Sequence, residues 1–140
     1  VALDLSRGNE EERETLIEYV SSFSSLLIER GVSLSLSSNG RDYKNGTMVK
    51  VGEGSGSSHI DSVDKALSTI KVSSIDAMAF SSLMKNALRG EKNCVPVFFS
   101  VYMDNDEINS FFSLSKTEGA VFLLKGEERQ NVFLLEERDE

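Results

Sequence analysis

Two aspartates stand where a chain can do chemistry. Asp4 follows the apolar start Val1-Ala2-Leu3, and Asp104 follows the apolar run from Cys94 to Met103, interrupted at Ser100. If these runs form neighbouring parallel strands, both carboxylates rim one crevice beyond the strand ends, where open α/β sheets bind their ligands. Ser6 stands two residues after Asp4, and Ser57 and Ser58 end the glycine-rich stretch 52–58. Carboxylates joined by hydroxyls are a hard-oxygen set suited to a divalent ion such as Mg²⁺. The same aspartates also suit plainer duties, because Asp is a common cap at a strand-to-helix turn.

Other chemistries fit less well. The stretch Gly52-Glu53-Gly54-Ser55-Gly56-Ser57-Ser58 lies between a strand and a helix, as a dinucleotide loop does, but Ser57 falls where Gly-x-Gly-x-x-Gly needs its last glycine. Asp4 could act as a phosphotransfer or hydrolytic nucleophile. Cys94 and His59 make a nucleophile and a base only if they are within reach of each other, and the order of elements places them at opposite ends of the sheet. Cys94 reads as a small core residue and His59 as a helix-start residue.

The elements that position these groups follow from periodicity. Residues 1–5 read as a strand. Asn9 with Glu12 forms a capping box for a helix carrying Leu16, Val20, Phe23 and Leu27 on one stripe, and Gly31 stops it. Val32, Leu34 and Leu36 alternate with serines, as in a strand. Asn39-Gly40 and Asn45-Gly46 are turn signals. Residues 47–51 read as a short antiparallel strand, and 52–58 as a flexible loop. Ser58 with Asp61 opens a helix bearing Ile60, Val63, Leu67 and Ile70, and a further helix is expected from Ser73 or Ser74 to Gly90. Residues 95–103 suit a central strand covered on both faces. Asp104 or Asn105 caps a helix with Ile108, Phe111, Phe112 and Leu114, closed by Gly119. Strands are expected at 120–124 and 132–135, the second at an edge, with a solvated tail at 136–140. Phe98, Phe99, Phe111, Phe112 and Phe122 are core candidates. This alternation predicts an α/β three-layer sandwich with a mostly parallel central sheet, a short antiparallel edge strand and right-handed crossovers.

Composition bounds the rest. The 140 residues suit a single domain over 1–140, and 39% hydrophobic content excludes a wholly disordered chain. A single cysteine excludes an internally stapled scaffold. No run reaches the ~20 apolar residues of a membrane span, and no signal peptide is visible. A net charge of −8 argues against nucleic acid as a partner, since phosphate binding rests on clustered Lys and Arg. Val1 begins directly on a strand, which reads as a domain excised from a longer protein.

Val1-Ala2-Leu3-Asp4-Leu5-Ser6-Arg7-Gly8 resembles the first strand of a von Willebrand factor A domain, whose Asp-x-Ser-x-Ser motif belongs to a metal-ion-dependent adhesion site. Ser100-Val101-Tyr102-Met103-Asp104 resembles the strand ending in the family's later Asp. Gly56-Ser57-Ser58-His59, running into the next helix, is similar to a bacterial branch catalogued as domain of unknown function fifty-eight. The resemblance implies a metal set of Asp4, Ser6, Ser58 (or Ser57) and Asp104, with Gly8 where the second motif Ser would stand. One ligand is therefore missing and the site is degenerate. It further implies a non-enzymatic protein-interaction module, with or without Mg²⁺ and without another cofactor. The branch implies a role with an AAA-type ATPase in assembly or maturation of other proteins. It also implies a cytoplasmic location, with membrane anchoring only through segments outside these residues. The alternative is a small phosphotransfer or hydrolytic enzyme using Asp4.

Overall fold

The computed structural model describes residues 1–73, 83, 94–116 and 118–135. Among them the chain forms β1 (Ala2–Leu3), α1 (Glu10–Glu29), β2 (Leu34–Arg41), β3 (Met48–Gly54) and α2 (Ser57–Ser68). It continues with β4 (Val97–Ser100), α3 (Asn105–Leu114), β5 (Ala120–Leu123) and β6 (Val132–Leu134). The described strands make one sheet in the order β3-β2-β1-β4-β5-β6, with only β3 antiparallel to its neighbour. The α/β sandwich with a mostly parallel sheet and an antiparallel edge is therefore as expected. β1 lies between β2 and β4, so the winding reverses there, and the crevice beyond its carboxyl end is the ligand position of a doubly wound sheet.

Side chains that alternate along each strand divide between two apolar clusters. Leu3, Phe99 and Val101 meet Leu16, Val20 and Ile28 of α1 and Val63 and Leu67 of α2 on one face. Ala2, Phe98, Val121 and Leu123 meet Ile108 and Phe111 of α3 on the other, together with Leu83. Each large side chain wholly buried in this way contributes roughly 1.5–3 kcal/mol. Phe99, Phe122 and Phe133 are register partners on β4, β5 and β6, and their rings stack at 4.9 and 5.3 Å. Phe23 of α1 meets Phe99 edge-on at 5.2 Å, pinning that helix to the middle of the sheet. No described helix is long and apolar enough to cross a membrane.

Several boundaries differ from expectation. Asn39-Gly40 is not a turn but lies inside β2, wholly buried. A Cβ on Gly40 would meet Ile70 at 2.9 Å and Leu5 at 3.0 Å, so glycine serves close packing here. The turn is made further on, where the amide of Gly46 donates to the carbonyl of Asp42 at 2.9 Å. β4 is shorter than its apolar run, because the chain leaves the ladder after Ser100 to reach α3. α2 starts at Ser57 on Gly56, with no side-chain cap, rather than on Ser58 and Asp61. β5 reaches β6 through residues 124–131 without a helix, although parallel neighbours usually need a longer crossover. That link folds back on the β6 edge: Arg129 bridges Val132, and Glu128 accepts from the amide of Leu134. The expected helix from Ser73 or Ser74 to Gly90 lies outside the described residues apart from Ser73 and Leu83, and so does the tail 136–140.

Candidate functional site

The carboxyl end of β1 carries a buried carboxylate. Asp4 is wholly buried. Its backbone amide donates to the Phe99 carbonyl at 2.8 Å, which fixes it beside β4. Its Oδ1 accepts from the Ser6 amide at 3.1 Å, the Ser6 hydroxyl at 2.6 Å and Asn39 Nδ2 at 2.8 Å. Its Oδ2 accepts from the Ser100 hydroxyl at 2.9 Å. Asn39 turns its other end back, so that Oδ1 accepts from the Leu5 amide at 2.7 Å. One carboxylate thus joins the β1–α1 turn, β2 and β4. Burying a charge is tolerable only with such a set of donors.

Arg7 continues the network outward. Its Nη1 donates to the Tyr102 carbonyl at 2.7 Å and to Glu107 Oε1 at 2.7 Å, and its Nη2 pairs with Glu107 Oε2. The Tyr102 carbonyl also lies 3.0 Å from the Ser100 hydroxyl. The hydrogen bond to Glu107 raises the Arg7 pKa above its ordinary value. Burial opposes this, and the charges of Glu107, Asp4 and Asp104 add to the rise. Glu107 is itself held by a capping box: Asp104 accepts from the Glu107 amide at 2.8 Å, and the Asp104 amide donates to Glu107 Oε1 at 3.0 Å. A matching box of Asn9 and Glu12 closes the start of α1. Both helix starts at this end are therefore filled by side chains rather than open to an anion.

The expected site residues separate into two groups. Asp4 and Ser6 are bonded to each other, and Asp104 stands on the same rim as the cap of α3. Ser58 does not join them. β3 runs antiparallel, so it ends beside the start of β2, with Gly54 opposite Leu34. α2 therefore opens at the amino end of the parallel strands. His59 lies there too, its Nε2–H donating to the Leu34 carbonyl at 2.7 Å. Cys94 precedes β4 and so also lies toward the amino end, exposed, which corrects the expected separation of Cys94 and His59 to opposite ends. What α2 does bring back to the carboxyl end is the segment after it: the Lys71 amide donates to the Arg41 carbonyl, and the Thr69 carbonyl accepts from Tyr43.

Asn39, Ser100, Arg7, Tyr102 and Glu107 join the site without standing out in the sequence as candidates for chemistry. Asn39-Gly40 carries a turn signal, yet Asn39 lies inside β2 and donates to Asp4. Ser100 was visible as the lone polar residue in an apolar run, and that signal marks a buried hydroxyl with a partner. Gly8 has φ +82, and a Cβ there would meet Val101 at 3.0 Å and Glu12 Oε1 at 3.2 Å, so the backbone itself calls for glycine at this position. The donor set does not complete the six-oxygen shell of a divalent ion. Asp4 Oδ1 is already taken by three donors, Gly8 offers no side chain, and Ser58 is at the far end. Among the described residues no three His, Cys, Asp or Glu gather into a metal-holding group. No protein-family model, curated protein or solved structure matches the chain.

Proposed function

We propose that the chain is a von Willebrand A-like, non-enzymatic protein-interaction module. Its working surface is the rim at the β1–β4 switch point, around Asp4, Ser6, Tyr102 and Asp104. The observation that carries this reading is the Asp4 carboxylate. It is wholly buried, and four donors from three segments occupy its oxygens. A nucleophile must reach its substrate. A carboxylate held in this way instead shapes the backbone around it, which favours recognition over turnover and disfavours the phosphotransfer alternative. Tyr102, 47% exposed, gives the rim an aromatic side chain open to a partner. An AAA-type ATPase as that partner, and a cytoplasmic domain of a membrane-anchored protein as the setting, rest on the similarity of Gly56-Ser57-Ser58-His59 to the bacterial branch.

The test is a photoreactive amino acid placed at Tyr102 or, as control, at Ser58, in the protein expressed in its own cells. Cross-links to an AAA-type ATPase from position 102 and none from 58 are expected. Cross-links from 58 alone would overturn the assignment of the rim. A phosphoester turnover lost in Asp4→Asn would overturn the non-enzymatic reading.

A further inference from the structure

The rim contains its own cation. Three oxygens from two segments converge on the Arg7 guanidinium: the Tyr102 carbonyl and both carboxylate oxygens of Glu107. Arg7 belongs to the β1–α1 turn, while Tyr102 and Glu107 belong to the β4–α3 connection and the first turn of α3. The guanidinium therefore spans the crevice at which the sheet reverses its winding. Behind it, the Ser100 hydroxyl lies between the same Tyr102 carbonyl and Asp4 Oδ2. In front, Glu107 is oriented independently of Arg7 by its capping box with Asp104. A fork that matches a carboxylate with two parallel bonds is stronger and more specific than an ammonium point charge.

We propose that Arg7 is the resident counter-cation of this rim, bracing the β1–α1 turn against α3 so that the crevice holds its shape without a divalent ion. The inference goes beyond the interaction reading and does not depend on any partner. It makes Arg7 and an added cation competitors for one set of hard oxygens. When Arg7 is present, millimolar Mg²⁺ finds those oxygens engaged. When the guanidinium is removed, the capping box keeps Glu107 in place and the oxygens still converge, now on nothing.

Thermal melting of the wild-type chain, Arg7→Gln and Arg7→Lys, each with and without millimolar Mg²⁺, tests this. The wild-type Tm is expected to be unmoved by Mg²⁺. Arg7→Gln is expected to melt lower, with Mg²⁺ restoring about half of the loss or more, while Arg7→Lys, which keeps the charge, stays insensitive to Mg²⁺. A purely structural role for Arg7 lowers the Tm of Arg7→Gln without any Mg²⁺ response, and that result overturns the proposal. So does a wild-type chain that Mg²⁺ stabilises as much as Arg7→Gln. Should Arg7→Gln not fold, Glu107→Gln decides instead: it disrupts the fork yet retains Arg7, so a Mg²⁺ response there contradicts a resident cation.

Discussion

At the carboxyl end of the parallel strands, polar side chains are buried and tied to one another across three segments. At the amino end they lie nearer solvent, and their side-chain bonds are part-buried or exposed. Asp4, Asn39 and Ser100 have no exposed surface, and each bonds to a residue more than 30 positions away. Ser57 and Ser58 are exposed, and His59 holds one strand carbonyl. The two ends carry similar residue types, so composition does not separate them. What separates them is the direction of the strands. Parallel strands deliver the β1 and β4 ends to one place, where the sheet reverses its winding, whereas the antiparallel β3 delivers the glycine-rich loop to the other end.

Removing the Asp4 carboxylate should cost far more than removing a hydroxyl at the amino end. Asp4→Ala leaves the buried Asn39 amide and the half-buried Ser6 without their acceptor and Ser100 with the Tyr102 carbonyl alone, and each unmade bond costs about 1–3 kcal/mol. A loss of about 3 kcal/mol or more in urea unfolding is expected. Ser58→Ala, at the other end, is expected to stay within about 0.5 kcal/mol. Equal losses would show that the two ends are held alike. Next comes Gly8→Ser, which restores the motif residue the resemblance lacks. A left-handed φ for a residue with a Cβ costs roughly 1–2 kcal/mol, and contact with Val101 adds to it. The variant is expected to be less stable by about 2 kcal/mol and to gain no Mg²⁺ response. A variant of unchanged stability would show that the turn accepts a side chain.

Two buried hydroxyls differ in their partners. Ser100 has a partner, but Ser24 of α1 is wholly buried with its hydroxyl unpaired. Ser24→Ala removes an unmet hydrogen-bonding group and improves helix propensity, and it is expected to stabilise by about 0.5–1 kcal/mol. Destabilisation would reveal a partner for that hydroxyl. The smallest effect is a pH dependence at the rim. The hydrogen bond from Lys125, and then the Asn9 amide, lower the Glu12 pKa below its ordinary 4.5. Its contribution is therefore fully present above pH 4.5 and is lost as the pH falls through the lowered folded value. Because Lys125 is exposed, solvent screens the pair and the effect is small. The stability gap between wild type and Glu12→Gln is expected to shrink below pH 4.5, and a gap that widens there would reverse the assignment.

Much of this fold was legible in the sequence. The Asn9–Glu12 box, the Leu16-Val20 stripe and the apolar strands at 97–100 and 120–123 each follow from local periodicity, which packing then reinforces. Asn39-Gly40 misled because turn chemistry and close packing both select glycine, and only tertiary contact with Ile70 and Leu5 tells them apart. Ser58 misled for a different reason. Its place after a glycine-rich loop suggests a rim hydroxyl, but the antiparallel strand before it sends the next helix to the opposite end. The Arg7–Glu107 fork spans 100 residues of sequence and has no local signature.

The claim that the rim is organised by the chain's own side chains, without an ion, meets its most direct test in an amide NMR titration of the wild-type protein with Mg²⁺. The Asp4, Ser6 and Gly8 amides are expected to shift no more than those of Ser58 and His59. Saturable shifts confined to Asp4, Ser6 and Gly8 at millimolar Mg²⁺ would contradict it.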